Sequence, residues 1–293
     1  MATATPTLRP RAEAEAARLP PLLARAERLA RTVLLGEHGR RRSGAGDDFW
    51  QYRPVQAGDS RTMIDWRRSA RSDAQFVRQR EWQVAQSVML WVDPAASMRF
   101  ASDAALPEKA DRARLLALAV ALLLDRGGER VGLTGGALPP RRGAAQIARL
   151  TEALMAESAE EYASPDMSGL VPHGRALLIS DFMGDPAPVR AALTAAADRG
   201  VRGVLLQVLD PAEEAFPYRG RTIFESMGGA LRHETLKAAD LRPRYLERLA
   251  ARKDELARLA SVTGWTHSCH HTDASAQSAL LWLYSAISEG GRA

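Results

Sequence analysis

Apolar positions fall in two rhythms along the chain. From residue 86 onward, short apolar runs alternate with longer amphipathic stretches. "SVMLWV" (87–92), "RVGLTG" (130–135), "RALLIS" (175–180) and "RGVLLQVL" (202–209) read as buried strands. "EKADRARLLALAVALLLDRGG" (108–128), "AAQIARLTEALMAE" (144–157) and "PAPVRAALTAAADRG" (186–200) read as helices between them. The first of these is apolar nearly all round after its first turn, which predicts burial on several sides. Asp185 stands where the third needs an N-cap. A β-hairpin around Gly228-Gly229 interrupts the alternation at about 220–236. A helix (243–261), a strand "GWTHSCHH" (264–271) and a last helix (274–290) follow. Alternating β and α units predict an α/β fold, a doubly wound, mostly parallel sheet of Rossmann type with right-handed crossovers.

Before residue 86 the rhythm differs. "PPLLARAERLARTVLL" (20–35) reads as an amphipathic helix, with Leu22, Ala26, Leu29 and Val33 on one face. A glycine-rich basic loop (36–48) leads to strands at 49–55 and 74–86. The chain is therefore expected to have two parts. Residues 1–85 form an N-terminal helix and β extension, and residues 86–293 form the α/β domain. Charge supports the division. Residues 1–85 carry a net +6 and residues 86–293 a net −1. A basic extension fits an acidic partner surface or a nucleic acid, and it also fits plain solubility. Only three of the forty basic residues are lysines, which reads as genome base composition.

Several function classes are disfavoured. A single cysteine, Cys269, excludes an internal disulfide and suits a reducing compartment. The first twenty residues lack the apolar core of a secretory signal. The longest apolar run, "LLALAVALLL" (115–124), is too short to span a bilayer. A cytoplasmic protein without a transmembrane segment is the expectation. No phosphate-cradling Gly-x-x-x-x-Gly-Lys loop, nucleophile elbow or dinucleotide fingerprint is present. A non-enzyme without a small-molecule substrate is expected.

One segment is distinctive. "GAGDDFWQYRPVQAGDSRTMIDWRRSARSDAQFVRQRE" (44–81) resembles the hallmark of the bacterial family called domain of unknown function 58. Gly44, Gly46, Phe49, Gly58, Asp59, Arg61, Ile64, Asp65, Trp66, Ser69, Ala70 and Arg71 match its order of residues. The hairpin followed by "RPRYLERL" resembles its C-terminal half. The resemblance implies a von Willebrand factor type A-like α/β domain. It also implies association with AAA+ ATPases of the MoxR type, in an adaptor or chaperone-like role. Asp59, Arg61, Asp65, Trp66, Arg67, Arg68, Ser69 and Arg71 are the hallmark positions that would contact a partner. For Asp65 and Trp66 a structural role is the preferred reading, Trp66 anchoring the extension on the α/β domain and Asp65 pairing with an arginine, while Arg67, Arg68 and Arg71 would suit an acidic-partner or phosphate site.

The resemblance also gives meaning to the ends of two strands. Type A domains hold a divalent metal on three loops, with Asp-x-Ser-x-Ser on the first, Thr on the second and Asp on the third. "DPAAS" supplies Asp93 and Ser97 but has Ala95 in the middle, and Asp181 matches the third loop. The second-loop threonine would fall at Ala144 or Ala145. Alanine offers no oxygen, so the site reads as degenerate. Mg²⁺ is expected to bind weakly, with water filling the shell, and no other cofactor is expected. Two carboxylates without a cation would repel, so one would take up a proton or both would recruit a basic side chain, Arg99 being near in sequence.

His267, Cys269, His271 and Asp273 would share one face of the last strand. Zinc ligands normally come from separated segments, so this stretch reads as a polar terminal strand. Two functional readings remain. One is a protein-interaction adaptor for an AAA+ ATPase. The other is a nucleic-acid-binding protein using the basic extension, disfavoured because aromatic residues for stacking are sparse.

Overall fold

The computed structural model describes residues 21–36, 49–55, 64–70, 74–80, 85–136, 138–229 and 232–289. Gly44, Gly46, Gly58, Asp59, Arg61 and Arg71 of the hallmark, and the Arg68 side chain, lie outside the described residues. The chain divides into two compact units. One takes in the chain up to Gly36 and from Gln86 onward, and the other spans Glu37–Ala85.

The larger unit is the expected α/β fold. Its strands are β3 (Ser87–Val92), β4 (Arg130–Leu133), β5 (Leu138–Arg141), β6 (Arg175–Ser180), β7 (Arg202–Leu209) and β10 (Thr266–His271). They form one sheet in the order β10-β7-β6-β3-β4-β5, parallel except for β5. The strands are apolar on both faces, and their alternation divides the core in two. Val88 and Leu90 of β3, Leu177 and Ile179 of β6 and Val204 and Leu206 of β7 face one cluster. Met89, Trp91, Ala176, Leu178 and Leu205 face the other. Helices cover both sides, which is why near-continuous apolar runs were needed.

The first cluster packs under α1 (Pro21–Gly36), α3 (Lys109–Arg126), α4 (Ala144–Ala153) and α8 (Ala276–Glu289). α3 lies between the sheet and the outer helices α1 and α8, so its apolar residues are buried on every side. The second cluster packs under α5 (Pro186–Asp198) and α7 (Arg242–Thr263). Asp185 caps α5 as expected, its carboxylate accepting from Ala187 N at 2.9 Å.

Three elements differ from the sequence reading. α1 joins the α/β unit instead of a separate extension, because Leu22, Leu23, Ala26, Ala30 and Val33 are buried in the same core as α3. β5, "LPPR", lies in a stretch without a strand signal. It pairs with β4 through a register irregularity opposite Gly132. A Cβ there would sit 2.8 Å from the Pro140 nitrogen, so only glycine allows the approach. A five-residue helix, α6 (Pro211–Ala215), opens directly after β7 and is closed by Phe216 in the left-handed region at φ 44°. Asp210 and Glu213 form its capping box, satisfying donors at both ends of one turn. Past α6, β8 (Thr222–Glu225) and β9 (Arg232–Thr235) form the expected hairpin.

The smaller unit pairs β1 (Phe49–Pro54) with β2 (Phe76–Arg80) in antiparallel fashion. α2 (Trp66–Ser69) makes a single turn between them. Ser69 holds this turn on the strand. Its Oγ donates to the Asp65 carbonyl at 2.8 Å and accepts from Phe76 N at 3.0 Å. This accounts for one hallmark serine by local structure. Ile64 is buried, while Trp66 is 57% exposed. Ser69→Ala is expected to cost the turn about 1 kcal/mol and to speed exchange of the Phe76 amide several-fold, read by hydrogen exchange. Unchanged protection at Phe76 would remove this role.

Candidate functional site

Strand order reverses at β3. The chain steps from β3 outward to β4 and β5, then returns to β6 on the other side of β3. The carboxyl ends of two strands that part in this way leave a crevice, the usual ligand position in open α/β sheets. Asp93 and Asp181 end these two strands and are neighbours, as the sequence suggested. Asp93 N continues the pairing by donating to Ile179 O at 2.9 Å.

Asp93 is buried. Its Oδ1 accepts from Ala95 N at 2.8 Å and its Oδ2 accepts from Ser180 Oγ at 2.6 Å. Burial is the largest influence on its carboxyl and pushes the pKa up to about 6, against the lowering effect of these two donors. Asp181 is 1% exposed and accepts from Met183 N through Oδ1 at 3.0 Å. Its Oδ2 accepts from a buried ammonium, Lys109 Nζ, at 2.9 Å.

Lys109 is the central group that sequence reading missed. It stands in the first turn of α3 and is itself 1% exposed. Its Nζ also donates to Glu213 Oε1 at 2.6 Å and lies 5.7 Å from the Phe100 ring centroid. Burial alone would lower its pKa, but Asp181 and Glu213 together hold the ammonium above its ordinary value. α6 exists to deliver Glu213. Its other oxygen accepts from Asp210 N at 2.9 Å, and Asp210 in turn accepts from Ala212 N and Ser102 N. Arg99, near enough in sequence to be a recruited base, instead pairs with Glu157 at 3.4 Å and with the Ser158 carbonyl at 3.2 Å.

Of the remaining expected positions, Ser97 reaches the crevice and the second-loop pair does not. Ser97 is buried beside the crevice, and its Oγ has no hydrogen-bond partner among the described residues. Ala95 is buried and offers no oxygen. Ala144 and Ala145 open α4 at the opposite edge of the sheet. There the preceding Gly143 N donates to Asp125 near the end of α3, and Gln146 donates to the Val131 carbonyl at the start of β4. The antiparallel β5 carries the chain back to that edge, so α4 begins far from Asp93. The loop that does reach the crevice follows α4. Ser158 N donates to Pro94 O, and Ala96 N and Ser97 N donate to Glu160 O and Glu161 O. The donor set does not fit a divalent ion while the Lys109 ammonium holds Asp181 and Glu213, because the two cations would occupy the same carboxylates.

Above Lys109 lies a groove of about 270 Å³. Lys109, Asp181 and Glu213 form its floor, and Tyr162, Tyr218 and Met227 line its walls. Phe216 organises the aromatic side, with ring centroids 4.8 Å from Tyr245 and 5.7 Å from Phe224. Glu161 ties the hairpin tip down, accepting from Met227 N at 3.2 Å and Gly228 N at 2.6 Å. Tyr162, Tyr218 and Tyr245 are all held above the ordinary phenol value, first by burial and then by the nearby carboxylates. They remain neutral hydrogen-bonding groups at physiological pH.

Among the described residues no helix is long and apolar enough to cross a membrane. Uncharacterized proteins of Mycobacterium tuberculosis and Mycobacterium bovis are 29% identical over 246 residues, covering 77% of this chain and 75% of theirs. A crystal structure of the conserved hypothetical protein BatB from Bacteroides thetaiotaomicron aligns at 15% identity with a TM-score of 0.42, covering 71% of this chain and 100% of that one. An aerotolerance-related membrane protein from Bacteroides fragilis aligns at 14% identity with a TM-score of 0.40, covering 70% and 100%. Residues 51–255 match the family described as "Protein of unknown function DUF58", and the chain therefore belongs to that family.

Proposed function

We propose that this chain is a non-enzymatic interaction module, an adaptor that works with an AAA+ ATPase of the MoxR type in a chaperone-like assembly. On this reading the α/β unit is a von Willebrand type A-like domain in which Lys109 supplies the positive charge that a metal supplies elsewhere. The observation that carries it is the buried Lys109–Asp181 pair, joined by the partly buried Glu213, at the switch-point crevice beneath a groove walled by aromatic side chains. A fixed charge under an apolar-walled groove suits recognition of another protein's side chains. The groups at hand are poorly arranged for catalysis. Ser180, bonded to Asp93, is 2% exposed, and its Oγ also accepts from Phe182 N at 2.9 Å, so it is committed to the loop. Cys269 has a thiol that burial pushes up to about 11, which disfavours a thiolate nucleophile.

The test is affinity capture from the native host with the full chain as bait, read by mass spectrometry. An ATPase of the AAA+ class should be recovered by the native chain. Met227→Asp changes a residue that is 45% exposed at the groove and should reduce that recovery about tenfold or more, since it buries a charge at the contact. Absence of any AAA+ ATPase, or equal recovery by Met227→Asp, would remove the proposal.

A further inference from the structure

On the far side of α6 from the groove, a second group of polar side chains converges. Among the described residues β10 is an edge strand, paired with β7 alone. Cys269 and His271 are two residues apart and so share one of its faces. α6 brings Glu214 over them. A carboxylate oxygen, the Cys269 Sγ and a His271 ring nitrogen all lie within 4.8 Å of one another. His271 Nε2 is 3.1 Å from Glu214 Oε2. His267 stands one pleat earlier on the same face, and its Nε2 is buried with no hydrogen-bond partner among the described residues. Strand neighbours alone would have converged poorly on an ion. The carboxylate from a separate segment changes that.

We propose that Glu214, Cys269 and His271 form a zinc site, with water completing the tetrahedron. Thiolate, imidazole and carboxylate together are a borderline-soft set that suits Zn²⁺ and not Mg²⁺ or Ca²⁺. Zinc bonds of about 2.0–2.3 Å put tetrahedral donors roughly 3.5 Å apart, so small side-chain rotations close the present cluster onto an ion. Lys253 now occupies the cation's position, ion-paired to Glu214. Its side chain is 23% exposed and sits on a long flexible stem, so it can swing into solvent when a metal arrives. Zinc takes the thiolate, so binding releases the Cys269 proton to solvent and displaces one ammonium, and affinity rises with pH.

The location gives the site a consequence. Glu213 and Glu214 are adjacent on α6, the first bonded to Lys109 and the second to this cluster. A metal here clasps α6 to the edge strand and steadies the floor of the groove.

The test is a cobalt(II) titration of the tag-free full chain at slightly alkaline pH, followed by displacement with zinc. One equivalent of cobalt should give visible bands of tetrahedral intensity and a near-ultraviolet thiolate-to-metal band, both lost on adding zinc. Cys269→Ser should abolish the near-ultraviolet band and weaken binding about tenfold or more. Lys253→Met should tighten binding several-fold, because it removes the competing ammonium. That gain is one a merely structural role for the cluster would not produce. Absence of cobalt bands, a Cys269→Ser titration equal to the native one, or weaker binding by Lys253→Met would each overturn the site.

Discussion

Lys109→Ala is expected to lower stability by about 3–5 kcal/mol at neutral pH, the cost of leaving buried charges without their partner. Asp181 is 1% exposed, and the Glu213 side chain is 18% exposed, so both would face one another with little water between them. Two further outcomes separate this from generic core damage. Acidification should narrow the gap to the native chain, because protonated carboxylates no longer need a counter-charge. Mg²⁺ or Mn²⁺ should raise the melting temperature of the variant and leave the native chain unmoved. Removing the ammonium frees Asp181 and Glu213 beside Asp93 and Ser97, a hard-oxygen set with room for water. Millimolar ion at a hundred times its dissociation constant would return about 2.7 kcal/mol. Thermal melts of both proteins with and without the ions decide the matter. A native chain that responds as strongly as the variant would mean that Lys109 does not stand in the cation's place.

Asp93→Asn is expected to act in the opposite direction and stabilise the chain above pH 7. The folded carboxyl titrates at about 6 against an ordinary value of 3.8, chiefly because burial penalises its charge. Folded protein therefore holds the proton over a range in which unfolded chain has lost it. The contribution is fully present below the unfolded value and is lost as pH rises through the folded one. A gap of roughly two pH units at about 1.4 kcal/mol each sets an upper figure of about 3 kcal/mol. Asparagine is neutral throughout, can accept from Ala95 N and can donate to Ser180 Oγ, so it keeps the neutral form's bonding without the titration. Urea unfolding should show the two proteins similar near pH 4 and the variant more stable by about 2–3 kcal/mol near pH 8. A less stable variant near pH 8 would show that a cation is rewarding the Asp93 charge.

How these groups could be read in advance differs from residue to residue. Asp93 and Asp181 were legible because each follows an uninterrupted apolar run, and such runs are buried strands whose ends meet at one edge. Their neighbour relation follows from topology, which the alternation of β and α units predicts. Lys109 was not legible by the same logic. A charged residue in the first turn of a helix reads as solvent-facing, and only the fold brings Glu213 over it. A signal was nevertheless present. Lysine is one basic residue in thirteen here, and a cation in the first turn opposes the helix dipole, so this lysine needed a reason. An ammonium is compact enough to sit between two carboxylates where a guanidinium fork is not. The pattern "DPAEE" likewise announced the capping box that presents Glu213. Ala144 and Ala145 were misplaced because β5, with two prolines, carries no strand signal, and the edge at which α4 begins depends on that strand.

Those two prolines have a consequence for how the molecule meets others. Pro139 and Pro140 make up half of β5, the strand that bounds one side of the sheet. A proline nitrogen carries no hydrogen, so that border offers too few donors to seat another strand. Among the described residues no strand pairs with the outer side of β10, so of the two borders only the β5 side is closed to extension by proline. Among the described residues the border left to a strand from a partner or from misfolded chain is β10, which carries Cys269 and His271.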